Sequence, residues 1–169
     1  MKQYISLGNN CEPRTYITRE LNLSKKNGYN TCPFDLCITP FESLYNCIES
    51  DFQYFFDDLR LIPWGCAENG TVKNAIMNKY NMIFNHEGSS HSHLFKDGKN
   101  DDLFYTRNNF EKFKERYSAR IDNFRNYITN DYITDITFVI KLENKCNIGV
   151  LTHLLKEKYL KNIDIIEIS

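Results

Sequence analysis

A thiol, an imidazole and two carboxylates stand out as groups that could do chemistry: Cys11, His86, Asp35 and Glu87. Cys11 follows the run Tyr4-Ile5-Ser6-Leu7 and the turn Gly8-Asn9-Asn10, and it stands at the start of a segment that reads as a helix. Unpaired N–H groups and partial positive charge at a helix N-terminus stabilise a thiolate. The backbone around Asn9 and Asn10 offers N–H groups to a developing oxyanion. Cys11 is therefore either a nucleophile or one more buried structural thiol, the common fate of a free cysteine. A catalytic thiolate needs a base and a group that orients it. His86 ends the apolar run Met82-Ile83-Phe84 and is the best placed of the four histidines. Asp35 is isolated inside the apolar stretch Cys32 to Ile38, where a buried carboxylate requires an imidazole or guanidinium partner. Its alternative is a turn acceptor. Glu87 is the second candidate to orient the ring.

Arg116 and Arg120 lie four residues apart in a helical pattern. They form either a clamp for a buried anion or a solvated face with Glu111 and Glu115. His86, His91 and His93 with Glu87 also permit a zinc or nickel reading, but a flexible loop lacks the rigid support a metal site needs, so neither metal nor cofactor is expected. Trp64, between Pro63 and Gly65, reads as a packed turn, and His153 as a helix-surface residue.

The elements that must position these groups follow from periodicity. Residues 3–7 read as a strand, with Pro13 early in a helix that runs to about Leu21. Lys25 to Gly28 is a turn, and Pro40 opens a second helix through Phe41, Leu44, Tyr45 and Ile48, with 51–59 continuing in the same idiom around Phe52, Phe55 and Phe56. Residues 72–80 carry a weak helical signal, and 88–102, rich in Gly, Ser, His and Lys, reads as a mobile surface loop. Phe110, Phe113, Tyr117, Ile121, Phe124 and Ile128 recur at helical spacing over 108–129. The continuous apolar run 136–142 reads as a strand covered on both faces, 148–160 as a helix and 163–168 as a last strand. This order predicts one α/β domain over 1–169, a three-layer sandwich with a small, mostly parallel sheet, Rossmann-like or hydrolase-like. A papain-like α+β arrangement is the alternative.

Bulk properties narrow the partners. With 21 basic and 22 acidic side chains the net charge is -1, which leaves no electrostatic footprint for nucleic acid. No stretch approaches a membrane span or a secretion signal, so the chain reads as cytoplasmic, without a membrane partner. In that setting its six cysteines are expected to be reduced, most of them in the core. The remaining partner is a small-molecule or peptide substrate.

The elements "ISLGNNC", "CPFDL", "IFNHE" and "RYSARIDNF", in this order, resemble the family of putative papain-like cysteine peptidases, DUF1796, whose members carry an SLG-x-x-C start, a PFDW-like element, an F-x-HD-like element and a Y-x-RRI-x-RF-like helix. The resemblance covers roughly residues 3–142. It implies Cys11 as nucleophile, His86 as base and Asp35 as an acidic site residue, with Arg116 and Arg120 on the arginine-bearing helix. Leu36 stands where that family usually has tryptophan, Glu87 where it has aspartate, and Asn123 at a later arginine. The expected function is a cysteine-dependent hydrolase or peptidase that cleaves an acyl, amide or ester bond. The alternative is a non-catalytic binding module on the same scaffold, with a drifted site.

Overall fold

The β-branched and aromatic runs near the two ends of the chain meet in one parallel sheet. In the computed structural model, which describes residues 1–90, 102–141 and 147–169, β1 (Lys2–Ser6), β5 (Asp135–Lys141) and β6 (Asn162–Ile168) are hydrogen-bonded in the order β1-β5-β6. Both pairings are parallel, with Ile5 opposite Phe138 and Phe138 opposite Ile165. β5 is central and its Ile136 to Ile140 are all buried, as a strand covered on both faces requires.

Alternation of side chains sends the two faces of this sheet into different layers. On one face Val139 packs with Ile17 of α1 (Glu12–Arg19) and with Tyr29, and the part-buried Tyr4 and Ile166 join them. On the other, Ile5, Ile136, Phe138 and Ile140 belong to a cluster shared with α2 (Phe41–Glu49), α3 (Asp102–Thr129) and α4 (Ile148–Lys158). The result is the expected mixed α/β arrangement with helices on both faces of a small parallel sheet.

A second sheet was not expected. β2 (Arg60–Cys66), β3 (Val72–Met77) and β4 (Ile83–Phe84) form an antiparallel sheet in the order β2-β3-β4. The helical reading of 72–80 is thereby corrected: Leu61 pairs with Ile76, and Arg60 with Met77. Pro63-Trp64-Gly65 lies at a register shift within β2 rather than in a packed turn. The helical idiom also fails over 51–59, because α2 stops at Ser50 and Asp51 and Phe52 take left-handed backbone angles. Turns then carry Phe52 and Phe55 into the core. α3 begins earlier than 108 and is broken at Arg107–Phe110, where Asn108, Asn109 and Phe110 have positive φ. Asparagine tolerates that region, which interrupts the helical periodicity read at Phe110. Residues 88–90 are largely buried rather than a surface loop, and the remainder of that expected loop, 91–101, lies outside the described residues.

Aromatic packing ties the second sheet to α3. Phe84 of β4 meets Phe113 at 4.8 Å and Tyr117 at 4.7 Å between ring centroids, both edge to face. Phe113 and Tyr117 are four apart and fully buried, so this face of α3 is fixed against the strand that leads to His86.

Candidate active site

Cys11 sits where the end of β1 passes into α1, beyond the C-terminal edge of the parallel sheet, the usual place for a ligand in such sheets. Leu7 donates its N–H to Val139 O at 2.8 Å, and Lys141 N–H reaches Gly8 O at 3.0 Å, so β5 guides the chain to this point. Gly8 has φ +83°, and a Cβ there would come within 3.1 Å of Thr39. Glycine is needed both for the left-handed backbone and for that close approach. Asn10 Oδ1 accepts from Glu12 N at 2.8 Å, and Cys11 O accepts from Thr15 N at 3.0 Å, which starts the helix. No amide of residues 9–11 donates to another described residue.

The segment after Cys32 joins this loop to the second sheet. Thr39 N donates to Asn9 O at 2.8 Å, while Ile38 and Ile83 exchange a pair of backbone hydrogen bonds at 2.8 and 2.9 Å. One short segment thus holds the Cys11 loop on one side and the strand before His86 on the other. Beyond β4, Ile76 N donates to Glu87 O at 3.1 Å and Ser90 N to Asn74 O at 2.9 Å. Gly88, with φ +128°, lies so close to β3 that a Cβ would fall 2.5 Å from Asn74 O.

These restraints bring Cys11 Sγ to 3.2 Å from His86 Nε2. Both residues are partly exposed, so a reactive thiol would be reachable. Burial first, and the Asp35 and Glu12 carboxylates after it, push the Cys11 thiol above its ordinary value.

Both candidate carboxylates are fully buried and each is held by arginine. Asp35 accepts from Tyr29 OH at 3.1 Å and from Cys32 N at 2.8 Å, and its Oδ2 lies 3.6 Å from Arg14 Nε. Arg14 also stacks 4.0 Å from the Tyr29 ring centroid. Burial pushes the Asp35 carboxyl up to about 6, against the pull of the Cys32 N–H, Arg14 and Tyr29. Glu87 receives Arg116 Nη1 at 2.8 Å on both oxygens, with Arg120 Nη1 at 4.0 Å. Its carboxyl is also above the ordinary range, because burial outweighs the two guanidiniums. Arg116 is therefore a clamp on a buried anion; on the surface beside it, Lys112 pairs with Glu115.

The sequence profile of the family described as "Putative papain-like cysteine peptidase (DUF1796)" matches residues 2–164. The chain belongs to this family. The match takes in all the residues just described, with the nucleophile candidate at a helix start and the base candidate just past an antiparallel strand. No curated protein and no solved structure matches the chain significantly.

Of the residues singled out in this family member, Cys11 and His86 meet, while Asp35 and Glu87 are drawn into separate arginine pairs. Sequence reasoning missed Arg14 and Tyr29, which hold Asp35. Arg14 stands three residues after Cys11 in α1, yet nothing local signals its partner twenty-one positions on. Cys32, Cys37 and Cys47 are buried as expected, with burial pushing Cys37 up to about 12, and Cys66 is exposed. Cys146, His91 and His93 lie outside the described residues. His153 is an exposed helix residue, 3.2 Å from Glu157 one turn on. Among the described residues no helix is long and apolar enough to cross a membrane.

Proposed function

We propose that the protein is a cysteine-dependent hydrolase acting on an acyl, amide or ester bond, with Cys11 as nucleophile and His86 as general base. The observation that carries this reading is the 3.2 Å contact between Sγ and Nε2, which is within proton-transfer reach. His86 takes the Cys11 proton as Sγ bonds to the carbonyl carbon, and the N–H groups of residues 9–11 receive the carbonyl oxygen as it becomes negative. Collapse of that adduct breaks the bond to the amine or alcohol, which leaves with the proton from His86. Water, deprotonated by His86, then attacks the thioester, and Cys11 leaves as the thiol after recovering its proton. Glu87, fixed by Arg116, acts on the ring through the backbone of the adjacent His86 and is a positioning residue. Asp35 sets the field around the thiol.

A second reading, a binding module with an inert thiol, is favoured by the upward push on Cys11. Alkylation by iodoacetamide across pH 5–9, with identification of the modified cysteine, separates the two. The hydrolase reading expects Cys11 to react near neutral pH far faster than exposed Cys66, and His86→Ala to lose roughly 10²-fold or more of that advantage. Equal rates for Cys11 and Cys66, unaltered in His86→Ala, would establish the binding module instead.

A further inference from the structure

Beside the arginine-bearing face of α3 lies a cavity of about 750 Å³, walled in part by Lys25, Asn30, Thr31, Arg116, Arg120 and Asn123. We infer that this cavity is a binding site for an anionic group, a carboxylate or a phosphate monoester, carried by the substrate. The substrate part of this inference rests on the hydrolase reading; the anion site itself rests on other residues. The volume is in the range of small-molecule sites.

The charges around it are one-sided. None of the described residues lining the cavity is acidic. The nearby carboxylates, Glu87 and Asp35, are fully buried and engaged by Arg116 and Arg14. Glu87 faces two guanidiniums, so that group of three side chains keeps one excess positive charge, and Lys25 adds another from the exposed turn at Lys25–Asn27. Arg120 is held in place by stacking 4.5 Å from the Tyr117 ring centroid. Its Nη1 is buried, 4.0 Å from Glu87, and donates to no acceptor among the described residues. Arg116 and Arg120 both line the cavity, so an oxyanion entering it would meet guanidinium donors in the fork geometry that arginine favours. Asn123 Nδ2 is fixed on Thr31 O at 2.9 Å, which orders the adjoining wall.

The cavity and the Cys11–His86 pair share Arg116, which lines the one and anchors Glu87 beside the other. A substrate anchored by its anion would therefore be held against the same framework that positions the base.

The test is calorimetric titration of inorganic phosphate and, separately, succinate at constant ionic strength, into the wild type and the Lys25→Gln, Arg120→Gln and Cys11→Ser variants. One-site saturable binding of at least one anion is expected, weakened about tenfold or more in Lys25→Gln and Arg120→Gln and unchanged in Cys11→Ser. Saturation by phosphate alone assigns the site to phosphate, and by succinate alone to carboxylate. No saturable binding of either, or undiminished affinity in Lys25→Gln, overturns the inference; Lys25 is exposed, so that variant decides even where Arg120→Gln fails to fold. Anion binding that persists when Cys11 alkylates like an ordinary thiol defeats the hydrolase reading alone and leaves the cavity as the anion site of a binding module.

Discussion

Removal of Arg116 tests whether the buried Glu87 is held as the geometry indicates. Glu87 is fully buried, and Arg116 Nη1 contacts both its oxygens at 2.8 Å. Truncating one partner of a buried pair costs about 3–5 kcal/mol, because the other charge stays behind uncompensated. Two features moderate that cost here. Arg120 remains at 4.0 Å, and the Arg116 side chain is 40% exposed, so water can replace part of it. The expected loss for Arg116→Ala is therefore about 2–3 kcal/mol, or a fall of about 4–12 °C in melting temperature for a domain of this size. Glu87→Gln in the same background should restore part of the loss, since it removes the stranded charge.

The pH dependence has a definite sign. The Glu87 carboxyl already lies above its ordinary value, and loss of Arg116 raises it further. A carboxyl raised by folding contributes stability that is fully present below its unfolded value and is lost as pH rises through the folded one. The deficit of Arg116→Ala relative to wild type should thus be largest near pH 7.5 and shrink toward pH 5. Urea unfolding at both values measures it. A variant within about 0.5 kcal/mol of wild type at pH 7.5, or a deficit that grows on acidification, would refute the buried-clamp reasoning.

Asp35→Asn should shift the pH profile of Cys11 alkylation toward acid, because the Asp35 charge helps push that thiol up; an unmoved profile would show that the carboxylate does not act on the thiol. The Asp35 carboxyl at about 6, against an ordinary 3.8, contributes stability present below 3.8 and lost as pH rises through 6. Relative to wild type, Asp35→Asn should therefore gain about 2 kcal/mol between pH 4 and 7, and a constant difference in urea unfolding would contradict this. Gly88→Ala should cost roughly 3 kcal/mol in thermal unfolding, since its Cβ would fall 2.5 Å from the Asn74 backbone, whereas Gly65→Ala, with positive φ but no atom within 4 Å, should cost only about 1 kcal/mol. Equal melting temperatures would show that the close approach at Gly88 is not structural.

The parallel sheet was legible because its strands are short runs of β-branched and aromatic residues whose burial does not depend on precise register. The antiparallel sheet was not. β2 contains Pro63 and Gly65, β3 contains Asn74, and β4 has two residues, so none shows the alternation by which a half-buried strand is read. Their pairing is decided by contacts with Ile38 and Glu87 that no local pattern encodes. At the site, the isolation of Asp35 in an apolar stretch rightly signalled a need for a guanidinium or imidazole, but its identity, Arg14, depends on where α1 packs. Glu87 was legible as a neighbour of His86 and not as a partner of Arg116, because that pairing is set by Phe84 docking on Phe113 and Tyr117.

The magnitudes around Cys11 decide which group would govern its ionisation. A helix N-terminus is worth about 0.3–1 kcal/mol to an anion, and α1 is only eight residues long. A thiolate and an imidazolium 3.2 Å apart, at an effective dielectric near 20, attract by about 5 kcal/mol before desolvation. Against them stand burial and two carboxylates. Those carboxylates are themselves compensated, Glu12 by Lys141 and Asp35 by Arg14, so burial is the principal opponent. Of the two attractions the helix start is the weaker and the imidazole the stronger. Cys11 would then ionise chiefly by passing its proton to His86, and its reactivity would depend on the segment Ile38-Thr39 and on Gly88, which hold the two loops together. The position of Cys11 at a helix start matters less for the charge it supplies than for aiming Sγ at the ring.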